Sequence, residues 1–212
     1  MIFKDFIFCL YSALNEELPG LGAHAKMAPG NRPSAASIYK QGISPKLSAV
    51  LILFYPIDNT PHFCLIQRPS YEGVHSDQIS FPGGKIDTID EHLKDTALRE
   101  TWEETGVAKE KIKILSQITD VYIPPSNFLV TPFIGFCEQH PKFKLDSREV
   151  KELFSVPTTA LINEKTVKCT LMSFSKSKNA VNVPYYDLND KIVWGATAVI
   201  LSEVKEILKK FH

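Results

Sequence analysis

The chain has 212 residues, 44% hydrophobic and 23% charged, a length and composition that suit one globular core. Its 24 basic and 24 acidic residues give zero net charge, which argues against binding to nucleic acid or to an anionic membrane surface. No apolar run reaches the roughly 18 residues that a membrane-spanning helix needs. We therefore expect a cytoplasmic protein whose partners are small molecules, with no nucleic acid and no membrane among them.

The first 45 residues are predicted to form a helix and an arm. Residues 1–17 have the amphipathic pattern of a helix, which Pro19 and Gly20 end. Residues 18–45 are rich in Gly, Pro, Ser and Ala but too mixed for a free linker, so we expect an ordered arm. The predicted organisation is residues 1–45 packed on a domain formed by residues 46–212, with a single domain overall.

Strands and helices alternate through the rest of the chain. The apolar, β-branched run 47–55 predicts a buried strand, and the turn residues 58–60 lead into a returning strand at 62–68. Further strands are predicted near 111–121, 128–137, 166–175 and 191–194, and a helix at 91–105. A last helix places five apolar residues on one face: Ile200, Val204, Ile207, Leu208 and Phe211. The mixture predicts an α/β sandwich.

Residues 81–107 form the most unusual segment of the chain. It opens with Pro82, Gly83 and Gly84, where the backbone can approach a ligand closely. Asp87 or Asp90 is predicted to cap the following helix. Gly106 is predicted to end that helix, as a glycine at a helix C-terminus commonly does.

Acidic residues crowd one side of the predicted helix. Glu100 and Glu104 are four residues apart and share a face, which Glu103 adjoins. Such like charges repel by about 0.2–0.5 kcal/mol per pair, and Arg99 offsets only part of this. One interpretation is a solvated acidic surface. The other, which the preceding glycine loop favours, is a site for Mg²⁺ or Mn²⁺, because these cations prefer oxygen ligands.

The segment resembles the Nudix box. Seven residues fill its pattern, with Thr101 at a position that is usually hydrophobic: Gly84, Arg99, Glu100, Glu103, Glu104, Gly106 and Val107. Fourteen residues separate Gly84 from Arg99, one more than the common pattern has. The acidic residue of the spacer is therefore either Asp90 or Glu91.

This resemblance implies a Nudix-type α/β/α sandwich with a mixed β-sheet and a metal-dependent diphosphate hydrolase. It implies that Glu100 and Glu104 bind the metal, together with a carbonyl of Gly83 or Gly84. Glu103 and Arg99 would be catalytic, Glu103 as a third ligand or a holder of a metal-bound water and Arg99 as the residue that orients the glutamates. The metal would neutralise the diphosphate and activate a water, whose proton a carboxylate accepts.

Two carboxylates are candidates for that proton acceptor. One is Glu103, and the other is Glu149, which lies outside the box. An ordinary surface charge is the commoner interpretation of Glu149, so the general base stays open.

The sequence just before the box resembles the coenzyme A diphosphatase branch of the Nudix family. Arg68, His75, Gln78 and residues 81–84 match that branch, as do residues 126–136 and 194–198. Two positions depart from it: Gly73 replaces a second arginine and Asp77 replaces a glycine. The substitution at Gly73 weakens the grip on an additional phosphate.

The branch implies hydrolysis of coenzyme A or its thioesters to phosphopantetheine and adenosine 3′,5′-bisphosphate. The predicted substrate-binding residues are Arg68, His75, Gln78, Gly83, Gly84 and Phe128. For the 3′-phosphate, Arg68 is the stronger candidate by motif, and the alternatives are Arg32, Lys40 and Lys46. Two other functions stay open: hydrolysis of another nucleoside diphosphate derivative such as ADP-ribose or NADH, and nucleotide binding without cleavage. A homodimer is compatible with the sequence.

Overall fold

The computed structural model describes residues 1–29, 33–69, 78–173 and 180–212. The helices of this part of the chain are α1 (Phe3–Leu14), α2 (Gly20–Met27), α3 (Ala35–Lys40), α4 (Leu93–Thr105), α5 (Thr158–Ile162) and α6 (Gly195–Leu208). Its strands are β1 (Lys46–Ile57), β2 (Thr60–Gln67), β3 (Ile79–Ser80), β4 (Gly83–Lys85), β5 (Lys113–Gln117), β6 (Val121–Ile123), β7 (Phe128–Phe136), β8 (Glu152–Pro157), β9 (Val167–Met172), β10 (Val181–Leu188) and β11 (Lys191–Val193). Within these ranges no helix has the length and apolar character needed to cross a membrane.

The hairpin of β1 and β2 forms the centre of the sheet. Asp58 and Asn59 both have positive φ angles, 47° and 63°, as a two-residue hairpin turn requires. The predicted turn and both predicted strands are confirmed, and β1 extends to Ile57 because that residue pairs with Thr60 across the turn.

The main sheet is mixed. Strand β1 pairs in parallel with β7, from Lys46 beside Phe128 to Phe54 beside Phe136, whereas its pairings with β2 and β4 are antiparallel. The central strand order is β3-β2-β1-β7-β5, with β8 on β2, β4 on β1 and β6 on β7. Strands β9, β10 and β11 form a second, antiparallel sheet.

Alternate residues of β1 enter two different hydrophobic clusters. Ile52 and Phe54 pack with residues of α1, α2 and α6 on one face of the sheet. Leu51 and Leu53 pack on the other face with Ala97 of α4. Because successive side chains of a strand point to opposite faces, helices must cover both sides of the sheet. The predicted α/β sandwich with a mixed sheet is confirmed.

The N-terminal helices pack against the last helix. Phe6 of α1 is fully buried in the same cluster as α6. Glu203 of α6 is also buried, and it accepts hydrogen bonds from the Gly20 amide (3.1 Å) and the Thr119 hydroxyl (2.7 Å). His24 Nε2 lies 2.8 Å from the same carboxylate. The division of the chain between residues 45 and 46 stays a prediction.

Some boundaries and elements differ from the sequence-based expectation. Helix α4 begins two residues later than predicted, and α6 ends at Leu208, so Phe211 lies beyond it while still contacting the Phe6 ring. The expectation missed β8 and β10. Strand β10 contains Pro184, which lacks an N–H donor and is atypical of a strand interior. These strands form because neighbouring strands supply partners, which a local pattern does not reveal.

Candidate active site

Helix α4 carries the glutamates, and its first turn is not built as predicted. His92 is the N-cap residue, and its amide donates a hydrogen bond to Asp95 Oδ2 at 2.9 Å. The expectation that Asp87 or Asp90 caps this helix is therefore wrong. Gly106 ends the helix with a φ of 74°, as predicted, and its amide donates to the Trp102 carbonyl.

Asp90 pairs with Arg99 instead of capping the helix. Its carboxylate accepts hydrogen bonds from Arg99 Nε and Nη2, both at 2.9 Å, and from the Thr96 hydroxyl at 2.9 Å. These bonds, the Arg99 pair foremost, hold the pKa of Asp90 well below its usual range. Asp90 thus occupies the acidic position of the spacer, whereas Glu91 is exposed and precedes the helix.

The second side of the Arg99 guanidinium faces the glutamates. Arg99 Nη1 donates to Glu100 Oε1 at 2.8 Å and to Glu103 Oε2 at 2.9 Å. Only 7% of Arg99 is exposed, so its position is fixed by these contacts. One guanidinium therefore contacts three carboxylates, and the region keeps an excess of negative charge that a further cation would neutralise.

Glu104 is the most deeply buried acid of the site, with 1% of the residue exposed. Its Oε2 accepts a hydrogen bond from the Gly83 amide at 2.8 Å, and its Oε1 lies 3.5 Å from Arg68 Nη2. Burial raises the pKa of Glu104 to about 8. Burial also raises the pKa of Glu100.

The two glycines of β4 allow the closest approaches in the site. A Cβ on Gly84 would lie 2.5 Å from both carboxylate oxygens of Glu100. A Cβ on Gly83, whose φ is 153°, would lie 2.6 Å from the Val50 Cα. Glycine is required at position 83 because a side chain would displace the backbone of β1, whereas a side chain at position 84 would displace the Glu100 carboxylate.

Glu149 joins the glutamates from outside the helix. Carboxylate oxygens of Glu100, Glu104 and Glu149 lie within 4.8 Å of one another, and we call these three residues the acidic cluster. Backbone hydrogen bonds fasten the loop on both sides of Glu149: the Lys144 amide donates to the Thr105 carbonyl (2.8 Å), and the Lys151 amide donates to that of Gln67 (2.9 Å). The sequence offered Glu149 only as a candidate base, because no local pattern links residue 149 to α4.

The chemistry of the acidic cluster fits a hard divalent cation. It offers carboxylate oxygens from two elements at a spacing that one ion can bridge, and such oxygens are the ligands that Mg²⁺ and Mn²⁺ prefer. The raised pKa of Glu104 is further support, since a buried carboxylate is costly to ionise without an adjacent positive charge.

The residues predicted to bind the substrate or its 3′-phosphate do not all lie together. Arg68 and both glycines border the acidic cluster, and the Gln78 carbonyl accepts a hydrogen bond from the Arg68 amide at 3.0 Å. Phe128 is half-buried at the start of β7, where Lys46 Nζ lies 5.6 Å from its ring centre. Lys40 is exposed at the end of α3. Four positions lie outside the described residues: Arg32, Gly73, His75 and Asp77.

An open groove of about 550 Å³ adjoins Glu103 of α4, and none of the three residues of the acidic cluster lines it. Trp102 and Glu103 of α4 line one side of it, and residues 144–147 line the other. The Trp102 ring is half-exposed, so an aromatic surface is available beside Glu103.

Residues 45–169, more than half of the chain, match the sequence model of the NUDIX domain. The chain belongs to the Nudix family. This Nudix hydrolase is 31% identical over 174 residues to Nudix hydrolase 3 of Caenorhabditis elegans, an alignment that covers 76% of this chain and 72% of the relative. It is 30% identical over 167 residues to the human mitochondrial coenzyme A diphosphatase NUDT8, covering 77% of this chain and 70% of the relative.

Solved structures agree on the fold. The Nudix hydrolase RenU of Mycobacterium smegmatis aligns with a TM-score of 0.56 and 15% identity, covering 86% of this chain and 96% of that one. A MutT/Nudix family protein of Enterococcus faecalis aligns with a TM-score of 0.51 and 18% identity, covering 84% and 70%. The predicted family and enzyme class are confirmed. Nudix hydrolases generally depend on divalent metal ions and act on small nucleoside diphosphate derivatives.

Proposed function

We propose that this Nudix hydrolase cleaves the diphosphate linkage of coenzyme A or its thioesters, giving adenosine 3′,5′-bisphosphate and phosphopantetheine or, from a thioester, S-acyl-phosphopantetheine. The observation that carries the hydrolytic part is the convergence of Glu100, Glu104 and Glu149 beside a buried arginine. In this proposal Glu100 and Glu104 hold Mg²⁺ or Mn²⁺, and a carbonyl of Gly83 or Gly84 contributes a further oxygen.

Each protein group has a separate task in the proposed reaction. The bound metal would supply charge neutralisation for the diphosphate and would acidify a water molecule. Arg99 keeps Glu100 and Glu103 in fixed orientations, because its guanidinium contacts both carboxylates and is itself held by Asp90. Such prior positioning lowers the entropic cost of reaching the transition state.

Glu149 is the proposed general base. Its carboxylate lies at the acidic cluster, and its loop is fastened to both α4 and β2 by backbone hydrogen bonds. Glu103, the other candidate, already accepts a hydrogen bond from Arg99 on Oε2 and is not part of the acidic cluster. A general base must lie within reach of a water bound at the metal site, and Glu149, as a member of the acidic cluster, is the better placed of the two.

The coenzyme A part of the proposal rests on sequence similarity and on one pair of residues. The relative NUDT8, whose name states coenzyme A diphosphatase activity, aligns over 77% of this chain. Lys46 and Phe128 form a cation–aromatic pair where β1 and β7 begin, on the strand that also pairs with Gly84. We assign the 3′-phosphate to Lys46 and the adenine ring to Phe128, because Arg68 lies at the acidic cluster, where the diphosphate would bind.

A substrate panel tests the proposal. We expect kcat/KM to be highest with coenzyme A or acetyl-CoA, lower with dephospho-coenzyme A and lowest with ADP-ribose and NADH. All turnover should require Mg²⁺ or Mn²⁺, and a titration of each ion identifies the preferred one. Equal kcat/KM for coenzyme A and its dephospho form would contradict the assigned 3′-phosphate contact.

A pair of lysine variants sharpens this test. Lys46→Met should cut kcat/KM for coenzyme A by roughly 10- to 100-fold, the range for a hydrogen bond to a charged group, and should spare dephospho-coenzyme A. Lys113→Met is the matched control, because Lys113 lies over Phe136 at the opposite end of β7. A control variant that discriminates between the two substrates as Lys46→Met does would contradict the assignment.

A different nucleoside diphosphate derivative is the second candidate. ADP-ribose and NADH lack the 3′-phosphate, and Gly73 stands where the coenzyme A branch usually has a second arginine. The same substrate panel decides between the candidates. Nucleotide binding without cleavage is disfavoured by the complete set of glutamates, and product release in the presence of Mg²⁺ excludes it.

A further inference from the structure

Arg68 lies at the end of β2 and directs one nitrogen at two oxygens of the site. Its Nη2 donates a hydrogen bond to the Gly83 carbonyl at 3.2 Å and lies 3.5 Å from Glu104 Oε1. These are groups that the proposed function assigns to the divalent cation. A guanidinium nitrogen and a metal ion would therefore compete for the same oxygens.

The contacts close a ring through three elements. The Gly83 amide donates to Glu104 Oε2 at 2.8 Å, and the Gly83 carbonyl accepts from Arg68. A buried carboxylate is costly without a positive partner. Among the described residues Arg99 directs its hydrogen bonds to other carboxylates and to the Lys85 carbonyl, whereas Arg68 lies beside Glu104.

We propose that Arg68 is the internal counter-cation of Glu104, and that a divalent cation displaces it on binding. The inference rests on the proposed function, since it requires Glu104 to bind the metal. Two positive charges repel strongly at one carboxylate oxygen in a buried setting. The Arg68 side chain is 30% exposed, whereas that of Glu104 is 1% exposed, so the arginine has a route towards solvent.

Displacement has a consequence for the order of binding. Once released, the guanidinium presents a planar set of donors that suits phosphate oxygens. Metal binding would thus create an anion-binding group at the edge of the acidic cluster. We expect the metal to bind first and an anionic diphosphate to bind second, with the second step strengthened by the first.

Isothermal titration calorimetry with Mg²⁺ and with Mn²⁺, without substrate, measures the competition directly. Arg68→Met keeps much of the aliphatic length and removes the charge. We expect its Kd for either ion to fall about fivefold, equivalent to ~1 kcal/mol. Arg68→Lys keeps a positive charge, so its Kd should stay closer to that of wild type, which makes the prediction testable if Arg68→Met folds poorly.

Arg148→Met is the matched control. It removes the same charge beside Glu149 in the sequence, but the Arg148 guanidinium is exposed and binds Asp146 outside the acidic cluster, with Nη2 2.6 Å from Oδ2. We expect the wild-type Kd. An equal decrease of the Kd for the metal ion in Arg148→Met and Arg68→Met would overturn the inference, because the change in net charge would then explain both results.

Thermal unfolding separates displacement from a purely structural role. In EDTA, Arg68→Met should lower Tm because Glu104 loses its partner, and saturating Mg²⁺ should close the gap to wild type. An equal loss of Tm in both conditions contradicts displacement. If the wild-type protein binds neither Mg²⁺ nor Mn²⁺, the proposed function is contradicted. If the wild-type protein binds both ions with the same Kd as Arg68→Met, only the role of Arg68 is contradicted.

Discussion

Arg99 and Asp90 form a bidentate ion pair, in which Arg99 Nε and Nη2 each donate to a different carboxylate oxygen of Asp90 at 2.9 Å. The pair is almost completely buried, with 9% of the arginine side chain and 3% of the aspartate side chain exposed. Its geometry leaves Nη1 of the same guanidinium for Glu100 and Glu103. The loop before α4 therefore controls the orientation of the glutamates on it.

Asp90→Asn should reduce both stability and turnover. We expect a loss of about 2–3 kcal/mol in the free energy of unfolding at pH 7, in the upper range for hydrogen bonds to charged groups. Because the pKa of Asp90 is lowered by folding, its contribution is present above the unfolded pKa of ~3.9 and is lost as the pH falls below it. Urea unfolding from pH 3 to pH 8 should thus show a constant gap to wild type above about pH 5 and a narrowing gap below about pH 4.

The control for this prediction is Asp87→Asn. Asp87 is exposed, and its side chain accepts a hydrogen bond from the neighbouring Thr88 hydroxyl. We expect little change in stability or kcat. A loss in Asp87→Asn as large as that in Asp90→Asn would show that the loop, and not the ion pair, is responsible.

Glu100→Gln and Glu104→Gln should nearly abolish metal-dependent turnover while the fold persists. Glutamine keeps the shape of each side chain but is a poor ligand for a hard cation. In EDTA at pH 7, Glu104→Gln should be about as stable as wild type, because burial raises the pKa of Glu104 and thereby favours the uncharged form that glutamine resembles. Calorimetry with Mg²⁺ and circular dichroism check the two halves of the prediction. Wild-type rates in both variants would rule out this metal site.

Glu149→Gln and Glu103→Gln distinguish the two candidate bases. We expect Glu149→Gln to lower kcat by about 10²–10⁴-fold, the usual range for loss of a general base, with little change in KM. Glu103→Gln should lower kcat less and retain metal binding, because Arg99 can still contact Glu100. A pH–rate profile supports the assignment if Glu149→Gln loses the acidic limb and Glu103→Gln keeps it. If Glu103→Gln loses the acidic limb and Glu149→Gln keeps it, the general base is Glu103.

Metal affinity should depend on pH through Glu104. Burial raises the pKa of Glu104 to about 8 in the metal-free protein even with Arg68 beside it, so below pH 8 protons compete with the metal ion for this carboxylate. We expect Kd for Mg²⁺ to rise by up to about tenfold for each pH unit below 8, with close to one proton released per ion. Titrations in buffers of different ionisation enthalpy measure the released protons. A Kd that does not vary between pH 6 and pH 8 would contradict the prediction.

The raised pKa of Glu104 also determines how the stability of the metal-free protein changes with pH. In EDTA the folded protein retains the Glu104 proton up to about pH 8, whereas the unfolded chain loses it near its ordinary value of ~4.3. Stability relative to Glu104→Gln should therefore fall as the pH rises between these values.

Gly84→Ala should disturb the metal site more than the fold. The added Cβ would lie 2.5 Å from the Glu100 carboxylate oxygens, so that side chain must move. We expect Kd for Mg²⁺ to rise by about 10–100-fold, as for the loss of a group that orients a ligand. Gly22→Ala is the control, because its Cβ would meet no atom within 4 Å. Equal effects of the two substitutions on metal binding would contradict the close approach of Gly84 to Glu100.

Local sequence patterns were sufficient to predict much of the fold and part of the candidate site. The β1–β2 hairpin follows from an apolar run and two turn residues, and the shared face of Glu100 and Glu104 follows from helical spacing. Asp90 was identified as important but given the wrong partner. An aspartate before a helix can cap it or pair with an arginine two turns later, and only the folded loop decides between them.

Tertiary contacts were beyond the reach of the sequence. Glu149 reaches the acidic cluster through a loop that binds the end of α4 by backbone hydrogen bonds, which leave no trace in side-chain patterns. The contact between Arg68 and Glu104 depends on the relative placement of β2 and α4. Residues 30–32, 70–77 and 174–179 lie outside the described part of the chain, so the roles predicted for Arg32 and His75 stay predictions.

The parallel pairing of β1 with β7 affects the order in which the active site can assemble. Lys46 pairs with Phe128, and the entire segment 83–107 lies between these two residues in the chain. During synthesis, α4 therefore emerges before one of the central strands of its sheet exists, and Glu149 emerges later still. Long-range pairings of this kind form slowly. In a nascent chain released before β7 is made, the helix that carries the glutamates would pack on a sheet that lacks one of its central strands. We expect such a chain to lack metal affinity and to be prone to aggregation.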